Sequence, residues 1–153
     1  MMEDYCVQYY QPQYERFTEM CADNFRIARE ISAWKQMMQV EWGNIRVVSS
    51  SEPDASYVLS QNDMIKSKVV LDLGRIRPED IGSEIVFTTA DAKGDLHIQE
   101  VAQMELTKVE GTLATFEAEM LPEHTGMYQV GKRVFPKNPR LPHRQDFPLV
   151  KWL

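Results

Sequence analysis

Apolar residues recur at steps of three and four as far as Met38, and beyond Trp42-Gly43-Asn44 they alternate every second residue to the C-terminus. This change of period predicts a helical segment over residues 1–42 and a β-domain over residues 43–153. The helical stripe runs through Tyr14, Phe17, Cys21, Ala28, Ile31, Trp34 and Met38, with Phe25 and Ile27 beside it. Tyr5 and Tyr9 share a face just before Pro12, so residues 3–11 read as the end of a helix that the proline interrupts. Asp23-Asn24 fits either the cap of a second helix or a mid-helix position. Trp34 lies at the centre of the stripe and is expected to anchor it, with a cost of roughly 3–5 kcal/mol for truncation of a buried ring. The apolar face of residues 1–10 has nothing nearby in sequence to cover it, and is expected to meet protein outside this chain.

The second half reads as short strands. Ile45 and Val47 begin the first, and residues 49–62, broken by Pro53, form a polar connection. Ile65, Ser67, Val69, Leu71 and Leu73 alternate with Lys66, Lys68 and Asp72, the clearest strand pattern in the chain. After an Arg77-Pro78-Glu79-Asp80 turn comes a third strand with Ile85 and Phe87 inward. Asp91-Ala92-Lys93-Gly94-Asp95 supplies a hairpin connection into a strand carrying Leu96, Ile98, Ala102, Met104 and Leu106 on one face. Glu110-Gly111 turns the chain into strands marked by Phe116, Ala118 and Met120, then by Tyr128, Val130 and Val134, and last by Phe147, Leu149 or Lys151. About seven strands with close turn signals predict a mainly β fold, an immunoglobulin-like two-sheet sandwich preceded by the helical segment. Tyr128, following the Leu121-Pro122 corner, is the candidate for a tyrosine corner, although a half-buried strand tyrosine explains it nearly as well.

The composition is that of an ordinary globular protein, 43% hydrophobic and 26% charged. A net charge of −6 disfavours a general nucleic-acid partner, because phosphate contacts need clustered Lys and Arg. Residues 131–153 run the other way, with Lys132, Arg133, Lys137, Arg140, Arg144 and Lys151 against Asp146 alone. A solvated or partner-facing edge accounts for that segment more simply than nucleic acid does. Cys6 and Cys21 lack partners at zinc-ligand spacing and read as free thiols of a reducing compartment. No leader or membrane-spanning run is visible, so the expected location is cytoplasmic, with no membrane partner.

The sequence carries no pattern that marks a catalytic, cofactor-binding or metal-binding residue. The seven glycines are scattered singly, without a phosphate-cradling loop. His97, His124 and His143 fall in separate segments, which argues against a metal site. Ser49-Ser50-Ser51 has no nucleophile-elbow pattern, and Asp91, Asp95, Glu117 and Glu119 look like solvated positions. Trp42, Tyr57, Phe135 and Trp152 are rings that a sandwich could expose for stacking on sugar, but core packing explains such rings more often. Pro136, Pro139 and Pro142, three apart, predict an extended tail that is either a connection held against the sandwich or a docking strip.

Two stretches then carry a resemblance. Met1-Met2-Glu3-Asp4-Tyr5-Cys6-Val7-Gln8-Tyr9-Tyr10-Gln11-Pro12 resembles the late helix of α-glucan (glycogen/starch) phosphorylases. Residues 24–42, with Ala28-Arg29-Glu30 and Ala33-Trp34-Lys35, then Arg77-Pro78-Glu79-Asp80-Ile81 and residues 136–153, are similar to the C-terminal extension of the bacterial type. The resemblance implies a non-catalytic β-sandwich accessory or assembly domain behind the catalytic lobes; those lobes, or a second subunit, are its expected partners. The parent enzyme would be a pyridoxal-phosphate-dependent glycosyltransferase that moves glucosyl units from α-1,4-glucan to phosphate, giving glucose 1-phosphate. The cofactor and phosphate motifs of that family are absent here, so the fragment is expected to hold no cofactor and to have no activity. The alternative is a carbohydrate-binding module that tethers the enzyme to glucan.

Overall fold

The computed structural model describes residue 8, residues 10–51, the backbone of 57–59, and residues 64–121 and 126–153. The chain divides into two compact units, Met1–Val40 and Glu41–Leu153. The first is built on α1 (Gln11–Glu41). Pro12 is the second residue of this helix, and Gln8 and Tyr10 just ahead of it are π-helical; residues 3–7 and 9 of the helix end expected there lie outside the described residues. Tyr5 and Tyr9 lie outside the described residues.

Asp23-Asn24 is neither a simple cap nor a mid-helix position. Ala22 is extended (ψ 155°), and Asp23, Asn24 and Phe25 all have left-handed backbone, with φ of 50°, 56° and 59°. Asp and Asn tolerate this region, whereas Phe does not. The break separates two apolar stripes. Ile27, Trp34 and Met38 are buried, but Tyr14 and Phe17, expected to continue the same stripe, are exposed. At 3.6 residues per turn the two sets would lie roughly 100° apart on an unbroken helix, so they cannot form one face. Ile27, assigned to the flank of the stripe from spacing, belongs to the buried set.

In the second unit all the described strand pairings are antiparallel. Its strands are β1 (Arg46–Ser50), β2 (Tyr57–Leu59), β3 (Ile65–Asp72), β4 (Ile81–Ala90), β5 (Leu96–Glu110), β6 (Leu113–Met120), β7 (Gly126–Pro136) and β8 (Lys151–Trp152). They hydrogen-bond in the order β1-β3-β6-β5-β4-β7-β2, with β8 also pairing β7. A strand at 57–59 lies inside the stretch expected to be a polar connection. The last strand shrinks to two residues, and Phe147 is buried in the approach to it. The mainly β class with a helix in front therefore holds. In place of two separate sheets the ladder gives one continuous path.

That path curls. In a flat sheet β1 and β7, five strand spacings apart, would be separated by roughly 24 Å. Yet Lys132 Nζ on β7 donates to Ser50 Oγ at 2.8 Å and to the Ser51 carbonyl. Lys151 Nζ likewise donates to the Ile45 carbonyl at 2.5 Å. The bend is made by β5. Its first part pairs with β4 as far as Met104↔Ser83, and its second part pairs with β6 from Glu105↔Glu117. Register shifts opposite Phe87/Thr88 and between Leu106 and Lys108 flank this crossover, and each inserts an extra β5 residue that coils the strand.

The core follows the predicted alternation where the ladder is regular. Ile65, Ser67, Val69, Leu71 and Leu73 are all buried, opposite Phe116, Ala118 and Ala114. Ile85 and Phe87 are buried as expected, and so is every β4 residue from Ile81 to Phe87, since this central strand is covered on both faces. On β5 the expectation holds for Met104, which is buried, and fails nearer the hairpin. Leu96 and Ile98 are exposed, because the bulge at Gln99 puts them in register with Ala90 and Thr88, on the face opposite Phe87 and Met104. The hairpin before them forms as expected. Asp91 Oδ1 accepts from the backbone N–H of Lys93 (2.7 Å) and Asp95 (3.0 Å), and Gly94 takes φ 88°.

Candidate functional site

Two features of the sheet unit stand out. The first is a cleft opened where β5 leaves β4 for β6. A cavity of about 690 Å³ lies on the β6 side, and another of about 810 Å³ on the β4 side. Gln103 and Glu105, the residues either side of the crossover, line both. The β6-side wall is a cross-strand ladder, with Lys66 Nζ 2.7 Å from Glu119 and Lys68 Nζ 2.9 Å from Glu117. Hydrogen bonding from Lys68, with help from its charge and from Thr107, holds the Glu117 carboxyl below the ordinary range. The β4-side wall brings in Glu79, Lys137 and Arg144, with Met104, Leu106 and Phe135 among its apolar residues.

The second feature is an ionic clamp on the outer face of β4. Glu84, with its side chain 3% exposed, is held bidentately by Arg144, with Nη1 to Oε2 and Nη2 to Oε1 both at 2.9 Å. Arg133 Nε also donates to it. Burial alone pushes the Glu84 carboxyl up, but the hydrogen bonds and charges of Arg144 and Arg133 together outweigh it, and the carboxyl titrates below its usual range. The Arg144 guanidinium lies 3.6 Å from the centre of the Phe135 ring, and Arg133 lies 5.3 Å from that of Trp152. Phe135 can lie flat on the sheet because its cross-strand partner is Gly82, where a Cβ would stand 2.4 Å from the ring. The basic tail is thus tied back onto the sheet.

The residues singled out from sequence disperse. Of the four rings, Phe135 is buried beneath Arg144, Trp42 is half-buried, Trp152 is 57% exposed and the side chain of Tyr57 is outside the described residues, so no shared stacking platform forms. Tyr128 is buried and meets Phe87 edge-on at 6.2 Å; of the Leu121-Pro122 corner expected to hold its hydroxyl, Pro122 lies outside the described residues. His97 sits 3.3 Å from Asp91 Oδ2 at the hairpin, His143 caps a short turn onto Asp146, and His124 is not described. Ser51 brackets the edge of β3, donating to the Lys68 carbonyl and accepting its N–H. Cys21 is a free thiol. Among the described residues no group of three or more His, Cys, Asp or Glu is placed to hold a metal ion, and no helix is long and apolar enough to cross a membrane. Neither the clamp nor the cleft was found from sequence. Glu84 falls in an apolar strand, and only its unusual position between Ser83 and Ile85 could have marked it.

The class this defines is an antiparallel, curled-sheet domain with a helical segment ahead of it. The model of the glycogen phosphorylase C-terminal domain family matches residues 42–153, and the chain belongs to that family. A maltodextrin phosphorylase from Thermococcus litoralis is 23% identical over 157 residues, covering 99% of this chain and 18% of the relative. The chain thus spans under a fifth of that relative's length. No solved structure matches it significantly.

Proposed function

We propose that this chain is the non-catalytic accessory and assembly domain of an α-glucan phosphorylase, with residues 1–42 leading from the catalytic lobes and residues 43–153 forming the domain itself. The observation that carries the reading is the family match over 42–153 in a chain that spans 18% of its phosphorylase relative. On this reading the parent enzyme transfers glucosyl units from α-1,4-glucan to phosphate, and the reacting groups and pyridoxal phosphate lie in its other lobes. The buried lysine Lys132 does not fit a cofactor lysine, because its amine is hydrogen-bonded to Ser50 and Ser51 inside the sheet. The finer architecture belongs to the same proposal. The halves of the sheet on either side of the β5 bend would face one another as the layers of an immunoglobulin-like sandwich, which the Lys132 bridge supports.

The partners of the domain are then the catalytic lobes or a second subunit, in the cytoplasm. The test is direct: the purified chain is incubated with glycogen or maltodextrin and inorganic phosphate, with added pyridoxal phosphate. No glucose 1-phosphate is expected above the enzyme-free rate, and its release would overturn the reading.

A further inference from the structure

We propose that the bare half of the outer face of strands β5, β4, β7 and β8 is where a second copy of this chain docks, turned end for end. Of the two partners that the accessory reading names, this gives the second subunit a surface, and it rests on that reading only to that extent.

The register gathers five large apolar side chains on this face. Leu96, Ile98 and Val101 of β5 stand opposite Ala90, Thr88 and Val86. The same face continues on β7 through Gly131 and Gln129 to Met127, and Trp152 of β8 joins it opposite Arg133. The five are 41–71% exposed. At roughly 150–250 Å² per side chain they leave on the order of 500–600 Å² of apolar surface bare, the upper end of what a monomer shows and not far below the ~800 Å² per partner of a stable interface. The other half of the face is already covered, since Arg144 lies on Phe135 and holds Glu84.

The charges decide the occupant. Thr88, Ala90 and Gln129, set among the apolar residues, are neutral, and the charged β5 residues His97 and Glu100 pair with Thr89 and Phe87 on the opposite face. Two copies therefore meet across the patch without like-charge repulsion. Its two ends carry opposite charge. At the clamp, Arg133 and Arg144 against Glu84 leave one positive charge, and at the hairpin, Asp91 and Asp95 against Lys93 leave one negative charge. Glu84 and Asp91 lie seven positions apart on extended chain, roughly 24 Å. A two-fold axis near Thr88 thus sets the hairpin of each copy over the clamp of the other and buries both apolar patches together.

The test follows the chain by sedimentation equilibrium and amide chemical shifts as a function of its own concentration. A reversible shift from 17.8 kDa to twice that mass is expected. The Kd should be on the order of 10 µM for an interface of this size, with concentration-dependent shifts at Leu96, Ile98, Val101, Met127 and Trp152. Ile98→Asp and Met127→Asp, on separate strands of the face, should each weaken the dimer about tenfold or more, while the melting temperature of the dilute monomer holds because both side chains are exposed. Asp95→Lys, which reverses the charge of the hairpin, should weaken it about threefold or more. Val109→Asp, exposed but beyond the crossover, should dimerise as wild type. The proposal is overturned by a single monomeric species up to about 0.5 mM, by a dimer that survives Ile98→Asp or Met127→Asp, or by association unchanged or tighter in Asp95→Lys. Disruption by Val109→Asp, or by Phe17→Asp on the helical stripe, would overturn it as well. Glucose 1-phosphate release, the readout for the phosphorylase reading, is independent of all of these.

Discussion

Glu84 ties the C-terminal tail to the sheet through two arginines, and its environment makes the tie pH-dependent. Its carboxyl is held below its unfolded value, so it contributes stability that is full above the unfolded pKa of about 4.3 and is lost as pH falls through the folded value. Glu84→Gln should therefore lose about 2–3 kcal/mol at pH 7, since it leaves Arg133 and Arg144 facing a neutral group while both keep some access to water. The gap between variant and wild type in urea unfolding should narrow between about pH 5 and pH 3; a gap constant over that range would remove the clamp's ionic role. Two glycines on the same face give a sharper contrast. Gly82→Ala drives a methyl into the Phe135 ring, which is pinned by Arg144, and should cost at least about 2–3 kcal/mol. Gly131→Ala meets only Trp152 at 3.0 Å, on an exposed ring that can shift, and should cost under about 1 kcal/mol. Equal melting temperatures for the two would show that Phe135 is not pinned.

The elements differ in how plainly the sequence announced them. β3 was legible because its ladder to β6 runs without interruption from Ile65 to Asp72, so alternation in sequence is alternation in space. β5 was half legible: its existence follows from pattern, but each inserted residue reverses the faces beyond it, and nothing in Gln99 or Thr107 marks a bulge. The clamp and the cleft were hidden because each joins residues distant in sequence, Glu84 with Arg133 and Arg144 and Lys66 and Lys68 with Glu119 and Glu117, which only strand pairing and the return of the tail bring together. In α1 the stripe was visible and its interruption only as one of two readings of Asp23-Asn24, because left-handed backbone at Phe25 goes against residue preference. That strain makes a prediction. Phe25→Gly, ordinarily a loss of about 1 kcal/mol inside a helix, should here be neutral or stabilising by up to about 1 kcal/mol, because the left-handed penalty of about 1–2 kcal/mol disappears. A loss of helical circular dichroism or of melting temperature in this variant would mean that Phe25 is right-handed in solution.

At the scale of the whole molecule, the question is which unit is stable without the other. The fully buried side chains of the sheet unit, among them Val69, Leu71, Ile85, Phe87, Phe116 and Val134, come from strands far apart in sequence but all within Glu41–Leu153. A core assembled from long-range pairs inside one unit should fold cooperatively. The helical unit is differently placed: the break at Ala22–Phe25 leaves segments 11–21 and 26–41, close to the minimum of about 12–15 residues at which even favourable isolated helices are marginal in water. A polypeptide of residues 41–153 should therefore melt in a single transition with a β-type spectrum, and Leu71→Ala within it should lower stability by about 2–5 kcal/mol. A peptide of residues 8–40 should show little helix at 25 °C, and more only in an alcohol co-solvent. If the sheet polypeptide instead unfolded gradually while the peptide stayed helical, the order of dependence would be reversed, and the helix would be the scaffold on which the sheet forms.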